Sequence, residues 1–103
     1  MFKPQVIYLF SHNGNQYLGS TTDYKTRMFA HNQHYKQVKH NKCRLYQYMI
    51  ANNITDIREY TTILKSTEDD DIVYNKLGLR CLEQEYIDEL QPNLNMINAV
   101  KKP

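Results

Sequence analysis

Two short motifs place tyrosines where they could act on a substrate. These are Val6-Ile7-Tyr8 and Tyr17-Leu18-Gly19, and an Asn13-Gly14 pair lies between them. Asn-Gly between two apolar runs is the strongest short-range signal for a two-residue type I′ hairpin. A phenol can bind a phosphate oxygen or a water molecule through its hydroxyl. The pattern therefore predicts a hairpin that directs two phenols toward one place.

The register of this hairpin predicts which side chains share a face. Tyr8 should lie opposite Gly19 and Phe10 opposite Tyr17, so that the two tyrosines are diagonal neighbours roughly 7–8 Å apart. A glycine opposite Tyr8 would leave open space beside the Tyr8 ring. We expect this space to admit a phosphate or a water molecule.

A carboxylate lies within the apolar stripe of the last predicted helix. On a helical wheel Glu83 falls in the middle of an arc formed by Leu79, Leu82, Tyr86, Ile87 and Leu90. An isolated buried charge costs several kcal/mol, so this carboxylate must be paired, neutralised or bound to a metal. Glu83 is therefore a candidate site residue, and a structural ion pair with Arg27 or Arg80 is the alternative.

A basic residue and a histidine share one face of the first predicted helix. Arg27 and His31 are four residues apart, which places them on the same side. A guanidinium suits a phosphate, and an imidazole beside it can orient water or exchange a proton near neutral pH. The alternative is that Arg27 pairs with an acid while His31 only packs.

Charge is distributed unevenly along the chain. Residues 1–65 hold nine Lys and Arg against three Asp and Glu, whereas residues 66–103 hold four against eight. The segment 24–44 contains six bases and no acid, namely Lys25, Arg27, Lys36, Lys39, Lys42 and Arg44. Such a segment is typical of a face that binds a polyanion such as nucleic acid. An ordinary solvated surface is the alternative.

Length and composition favour a small intracellular protein. The 103 residues, 41% of them hydrophobic, suffice for one core, so we expect residues 1–103 to form a single domain. No apolar run approaches the roughly 18–20 residues that cross a bilayer, and we expect a soluble, intracellular protein. The two cysteines, Cys43 and Cys81, are expected to be free thiols in a reducing compartment.

Local patterns predict the element order β-β-α-α-β-α. This order favours a small α/β sandwich with a three-stranded antiparallel sheet flanked by helices, of the α+β type. The predicted strands cover 5–11, 16–21 and 57–64, and the first two helices cover 24–35, capped by Asp23, and 44–52. The second helix should carry Leu45, Tyr46, Met49 and Ile50 on one side.

A longer helix is predicted before Pro92. Thr67 and Asp70 approximate a capping box, so the helix should begin there and continue to Leu90. Gly78 is a possible break within it, and Pro92 should stop it.

Taken together, these motifs resemble the GIY-YIG nuclease family. The two triplets correspond to the Gly-Ile-Tyr and Tyr-Ile-Gly strands, with Val6 and Leu18 as departures. The other elements that resemble the family, in order, are Arg27-Met28-Phe29-Ala30-His31, Leu45-Tyr46, Glu83-Gln84-Glu85-Tyr86-Ile87 and Pro92-Asn93-Leu94-Asn95. The resemblance covers essentially the whole chain and is closest to phage and viral homing-type members.

The resemblance implies a divalent-metal-dependent endonuclease that leaves 5′-phosphate and 3′-hydroxyl ends on DNA. Glu83 would hold a single Mg²⁺ or Mn²⁺, and Arg27 would bind the scissile phosphate. Tyr8 would be the general base or position the attacking water. Tyr17 and His31 would organise the nucleophile, and Asn95 would anchor the edge of the site.

The base role sets an energetic condition on Tyr8. Because a free phenol has a pKa near 10, forming a phenolate at pH 7 costs about 4 kcal/mol. A nearby positive charge must offset this cost. The sequence offers Arg27, a bound metal ion and Lys25 as sources.

Other interpretations of the chain stay open. A non-catalytic nucleic-acid-binding module would use the same basic 24–44 face. His31, His34, His40 and Cys43 could instead be zinc ligands, although their central spacing is short for a zinc finger. Within the nuclease interpretation, duplex DNA, branched DNA and RNA are all possible substrates. Sequence specificity would be low, built into loops or supplied by a partner protein, and a homodimer is the natural way for a nuclease with one site to cut both strands. The Asn, Lys, Ile and Tyr content suits an AT-rich viral or phage genome.

Overall fold

The fold is built on a three-stranded antiparallel sheet. In a computed structural model that describes residues 4–37, 43–67 and 74–95, the strands are β1 (Val6–His12), β2 (Asn15–Thr21) and β3 (Thr61–Ser66). The strand order is β2-β1-β3, so β1 is central. Within these residues three α-helices flank the sheet, which confirms the predicted fold class.

The hairpin forms as its turn residues predict. Asn13 and Gly14 have φ angles of 49° and 81°, the left-handed values that a type I′ turn requires at both positions. The pairing places Tyr8 opposite Gly19 and Phe10 opposite Tyr17. The predicted register is therefore confirmed.

The third strand begins later than the sequence predicts. Residues Ile57–Tyr60 form a 3₁₀ turn instead of the first half of a strand. The Asp56 side chain accepts a hydrogen bond from the backbone N–H of Arg58, and the Thr61 hydroxyl donates to the carbonyl of Ile57. These local bonds satisfy backbone groups in the turn, so sheet pairing starts only at Thr61.

The first two helices form on one side of the sheet. Helix α1 spans Tyr24–His34, and the Asp23 side chain accepts from the backbone N–H of Thr26 at 3.2 Å, as its predicted cap role requires. Helix α2 spans Arg44–Ala51. Its buried residues are Leu45, Tyr46 and Met49, whereas Ile50 is 57% exposed, so the prediction for Ile50 was wrong.

The last helix is shorter than predicted. Helix α3 spans Lys76–Leu90, and Asn75 caps it by accepting from the backbone N–H of Gly78 at 2.6 Å. Gly78 therefore lies in the first turn of the helix and does not break it. The end at Leu90 is confirmed, with Gln91 in the left-handed conformation as the cap. Asp70 of the proposed capping box lies outside the described residues.

The sheet separates two hydrophobic clusters. The alternation of β1 sends Val6, Tyr8 and Phe10 toward α1 and α2, while Ile7 packs on the opposite face with Leu79 and Ile87 of α3. Cys43 and Cys81 are free thiols, as predicted. Among the residues described, no helix has the length and apolar character needed to cross a membrane.

Candidate active site

The centre of the candidate site is the phenol of Tyr8. Tyr8 is fully buried, and the space expected beside its ring is occupied by its own phenol group. A Cβ built on Gly19 would overlap the Tyr8 hydroxyl oxygen and lie 2.5 Å from Cζ. The expectation of open space was therefore wrong, because the ring leans across the glycine and fills the gap. Gly19 is required so that the phenol can reach this position.

A histidine bridges two tyrosines next to this position. Nε2 of His31 lies 3.0 Å from the Tyr8 hydroxyl, and Nδ1 lies 2.8 Å from the Tyr46 hydroxyl. His31 is 1% exposed. Burial and the nearby charge of Arg27 lower the pKa of His31 to about 3, so the imidazole is neutral throughout the physiological range.

A guanidinium lies on the other side of the phenols. Arg27 is within hydrogen-bonding reach of both Tyr8 and Tyr17, and its charge lowers the pKa of each. The rings of Tyr8 and Tyr17 have centroids 6.4 Å apart, close to the predicted diagonal spacing. One cation from α1 thus acts on both hairpin phenols.

The carboxylate of Glu83 approaches from α3, across the outer edge of β2. It is within hydrogen-bonding reach of the side chain and the backbone N–H of Ser20, next to Gly19. Its charge acts on both Tyr8 and Tyr17, and the charge of Arg27 acts on it in turn. The charges of a carboxylate on α3 and a guanidinium on α1 therefore both act on the two hairpin phenols.

The position of Glu83 on its helix differs from the predicted one. The buried residues of α3 are Leu79, Gln84 and Ile87, and Glu83 is only partly buried beside them. The middle of the buried face was therefore assigned one residue too early, because the polar Gln84 was not counted as a core residue. Gln84 is accommodated there by donating from Nε2 to Asp88 at 2.8 Å.

Desolvation governs the charge state of Glu83. Burial raises the pKa of its carboxyl group, while Ser20 and the charges of Arg80 and Arg27 act in the opposite direction. The net direction is upward, so the ionised form is under-compensated by its surroundings. A bound cation would relieve this cost, and a single carboxylate supplemented by substrate phosphate oxygens is a donor set that suits Mg²⁺.

Side chains near the C-terminus close the free edge of β2. An edge strand leaves alternate backbone N–H groups without a strand partner. Here Asn93 accepts from Gln16 at 2.8 Å, and the Asn95 carboxamide both accepts from the N–H and donates to the carbonyl of Leu18 at 2.8 Å. Glu83 continues this row at Ser20. The structure thus places Asn95 at the edge of the site with its amide fully used in holding β2.

The ionisation of Tyr8 is opposed in this arrangement. Burial and the neighbouring Tyr17 raise the pKa of Tyr8 above its usual 10, and the lowering effect of Arg27 does not compensate. Lys25, the other protein cation expected to help, is exposed and lines a groove of about 460 Å³ together with Tyr24. Tyr8 is therefore a neutral phenol in this structure.

The predicted basic face is only partly described. Lys25 is in the first turn of α1 and Lys36 lies just beyond its end, with the Lys36 ammonium 5.5 Å from the Tyr35 ring. They are eleven positions apart, which corresponds to a rise of about 16 Å along a helix. Arg44 is exposed at the start of α2, and Lys39 and Lys42 lie outside the described residues.

The zinc alternative conflicts with the hydrogen bonds of His31. Both of its ring nitrogens are engaged by tyrosine hydroxyls, which leaves neither nitrogen for a metal. His40 lies outside the described residues. Within the described ranges, no group of three or more His, Cys, Asp or Glu side chains is arranged to hold a metal.

Sequence reasoning missed the contact between Tyr46 and the site. It assigned Tyr46 to an apolar side of α2, where its burial was expected, and gave its hydroxyl no partner. A buried tyrosine hydroxyl normally finds a hydrogen-bonding partner, and His31 was a polar residue whose own partner the sequence left open. That rule supplied a signal, although the tertiary fold was needed to bring α1 and α2 together.

Comparisons with known proteins identified no relative of this chain. Searches against protein-family models, curated proteins and solved structures found no match to this chain.

Proposed function

We propose that this protein is a divalent-metal-dependent endonuclease that hydrolyses phosphodiester bonds in DNA to 5′-phosphate and 3′-hydroxyl ends. The observation that supports the proposal most is that the charges of Glu83 and Arg27 both act on the phenols of Tyr8 and Tyr17. The resemblance to GIY-YIG nucleases assigns these same residues to the reaction. Neither argument depends on the overall charge of the chain.

Each side chain has a task that its chemistry suits. Arg27 would bind the scissile phosphate, since its fork of N–H donors matches phosphate oxygens. Glu83 would hold Mg²⁺ or Mn²⁺, which supplies stabilisation of charge on the leaving oxygen. Tyr17 and His31 would orient the groups that face the attacking water.

Tyr8 would act directly on that water. Because the pKa of Tyr8 is raised in the absence of substrate and metal, the phenol would first position the water through its oxygen. A general-base role requires the added positive charge of a metal ion to lower the pKa of Tyr8. The two roles differ only in whether a proton is taken.

The decisive test separates the charge of Glu83 from its hydrogen bond. Plasmid DNA, a branched DNA junction and RNA are each incubated with the purified protein, with and without Mg²⁺ or Mn²⁺. Glu83→Gln keeps an acceptor for Ser20 but removes the negative charge. We expect metal-dependent cutting by the wild type and a loss of roughly 10²–10³-fold in Glu83→Gln, the range found when a preorganised electrostatic group is removed.

Two controls define the outcome. Glu85→Gln makes the same change at an exposed position on the same helix and should cut like the wild type. DNA binding, measured without metal, should persist in Glu83→Gln. Cutting that survives in Glu83→Gln would exclude the metal-ligand role, and a wild type that binds but never cuts any substrate would favour the non-catalytic binding module.

A further inference from the structure

The hydroxyl of Tyr46 contacts His31, which in turn contacts the phenol of Tyr8. Tyr46 lies on α2, is 6% exposed and contacts Nδ1 of His31, whose other nitrogen contacts Tyr8. Three elements thus contribute one residue each to a continuous chain from Tyr46 through His31 to Tyr8. The direction of its hydrogen bonds determines which atoms of Tyr8 face the site.

The neutral imidazole allows two arrangements. A neutral ring carries one N–H, so one of its two tyrosine partners must donate and the other must accept. Either Nε2 accepts from Tyr8 and Nδ1–H donates to Tyr46, or both directions are reversed. The distances alone do not decide between them.

The surroundings of Tyr8 decide it. Tyr8 is fully buried, so its hydroxyl hydrogen needs an acceptor within the protein. Arg27, which is also within hydrogen-bonding reach, has only donors and must point them at the Tyr8 oxygen. Nε2 of His31 is then the acceptor that the described residues offer. The ring hydrogen is left on Nδ1, where it points at Tyr46.

We propose that Tyr46 is a positioning residue that holds His31 as the Nδ1–H tautomer, so that Nε2 binds the Tyr8 hydrogen and the lone pairs of the Tyr8 oxygen face Arg27. This role rests on the proposed function for its catalytic consequence. The tautomer itself is a property of the folded chain and can be measured without any substrate.

The charge environment of His31 keeps this arrangement in a single protonation state. Arg27 and His34 on α1 disfavour the imidazolium, and the groups that face the ring from the sheet and α2 are the phenols of Tyr8, Tyr17 and Tyr46. Burial acts in the same direction, and the pKa of His31 is about 3. A second ring hydrogen therefore does not compete with the tautomer near neutral pH.

The test is a long-range ¹H–¹⁵N correlation spectrum of the histidine rings at pH 7. In the wild type we expect a protonated Nδ1 and an unprotonated Nε2 for His31, assigned by the loss of these signals in His31→Gln. In Tyr46→Phe, Nδ1–H loses its acceptor, and we expect the population to move toward the Nε2–H tautomer. Cutting of DNA should fall roughly 10- to 100-fold, as when an orienting partner of a reactive group is removed.

Tyr48→Phe is the matched control. It makes the same change two residues along α2 and removes a hydroxyl that lies 2.6 Å from Nδ1 of a different histidine, His12. We expect the His31 signals and the cutting rate to stay as in the wild type, while the His12 signals change. Amide spectra of both variants establish that each is folded.

The outcomes separate the two proposals. A wild-type His31 in the Nε2–H form would overturn the positioning role outright, with no variant needed. Unchanged His31 signals in Tyr46→Phe would also overturn it, even if the wild type is an active nuclease. The predicted tautomer and its shift in Tyr46→Phe, seen in a protein that cuts no DNA or RNA, would support the tautomer assignment and refute the proposed function instead.

Discussion

Two histidine–tyrosine clusters lie along β1 and use the same residue types in different surroundings. The inner cluster consists of Tyr8, His31 and Tyr46, and the outer cluster consists of His12 and Tyr48. In both, α2 supplies a tyrosine whose hydroxyl contacts Nδ1 of a histidine, at 2.8 Å in the inner cluster and 2.6 Å in the outer one. The histidine–tyrosine contact by itself therefore does not mark an active site.

The partners around each contact make the difference. In the outer cluster the Tyr48 hydroxyl donates to the carbonyl of His12 at 2.9 Å and accepts from Asn15, so its bonds hold the hairpin turn against α2. The imidazole packs at 4.9 Å against the ring of Tyr60, which is 37% exposed. These are contacts that secure a turn.

In the inner cluster the histidine also contacts a second phenol, that of Tyr8, on which charged groups act. Tyr8 lies within reach of the Arg27 guanidinium, and the charge of Glu83 acts on it across the edge of β2. Burial strengthens these electrostatic effects, because solvent does not screen them. A phenol on which a cation and a carboxylate both act is suited to chemistry in a way that a hydroxyl bonded to its neighbour's carbonyl is not.

The largest expected difference between the clusters concerns cutting. Tyr8→Phe removes the hydroxyl that would position or activate water, and we expect a loss of roughly 10²–10⁴-fold in the cutting rate. Tyr48→Phe removes a hydroxyl from the outer cluster and should leave the rate near that of the wild type. The rates are compared on plasmid DNA at saturating Mg²⁺. Near-full activity in Tyr8→Phe would remove Tyr8 from both of its proposed roles.

The parts of the inner cluster that local patterns govern could be predicted from the sequence. The Asn13-Gly14 turn fixes the pairing of its two strands, and with it the diagonal placement of Tyr8 and Tyr17. The spacing of Arg27 and His31 fixes their shared face on a helix whose cap was also recognisable. Each of these depends on residues close together in the chain.

The remaining parts depend on how separate elements pack. Gly19 suggested empty space, yet the Tyr8 ring fills it, because the direction of a side chain is not set by strand register. Pairing between β1 and β3 shifts at Ile7 and Tyr8, a bulge that no residue of the sequence announces. The bond from Tyr46 to His31 requires two helices to be brought together. Such features follow from tertiary packing and were not accessible to pattern reasoning.

An added methyl group at Gly19 is a second way to distinguish the clusters. In Gly19→Ala the new Cβ would overlap the Tyr8 phenol, and overpacking of this kind costs about 1–3 kcal/mol of stability. The phenol must also move away from His31 and Arg27, so cutting should fall even where the protein is fully folded. Urea unfolding measures the first effect and the cutting rate per folded molecule measures the second.

Gly14→Ala is the control for this change at the outer end of the hairpin. Its Cβ would meet nothing within 4 Å, but a φ of 81° makes any side chain unfavourable there, so stability should also fall. The cutting rate per folded molecule should stay as in the wild type. Equal rates in Gly19→Ala and wild type would mean that the position of the Tyr8 phenol does not matter for the reaction.

The smallest expected effect is a pH dependence of stability that comes from the inner histidine. Since the pKa of His31 is lowered from 6.5 to about 3 on folding, the unfolded chain binds a proton between these values that the folded chain does not. The contribution of His31 to the free energy of unfolding is therefore complete above pH 6.5 and decreases as the pH falls, by about 2 kcal/mol at pH 5.

Urea unfolding of wild type and His31→Gln between pH 5 and pH 8 measures this dependence. The wild type should lose more stability than His31→Gln on acidification, because a buried imidazole that is kept neutral by its surroundings carries this cost. Parallel pH profiles for wild type and His31→Gln would mean that His31 takes up a proton as readily in the folded protein as in the unfolded chain. The neutral, two-partner imidazole on which the inner cluster depends would then not exist.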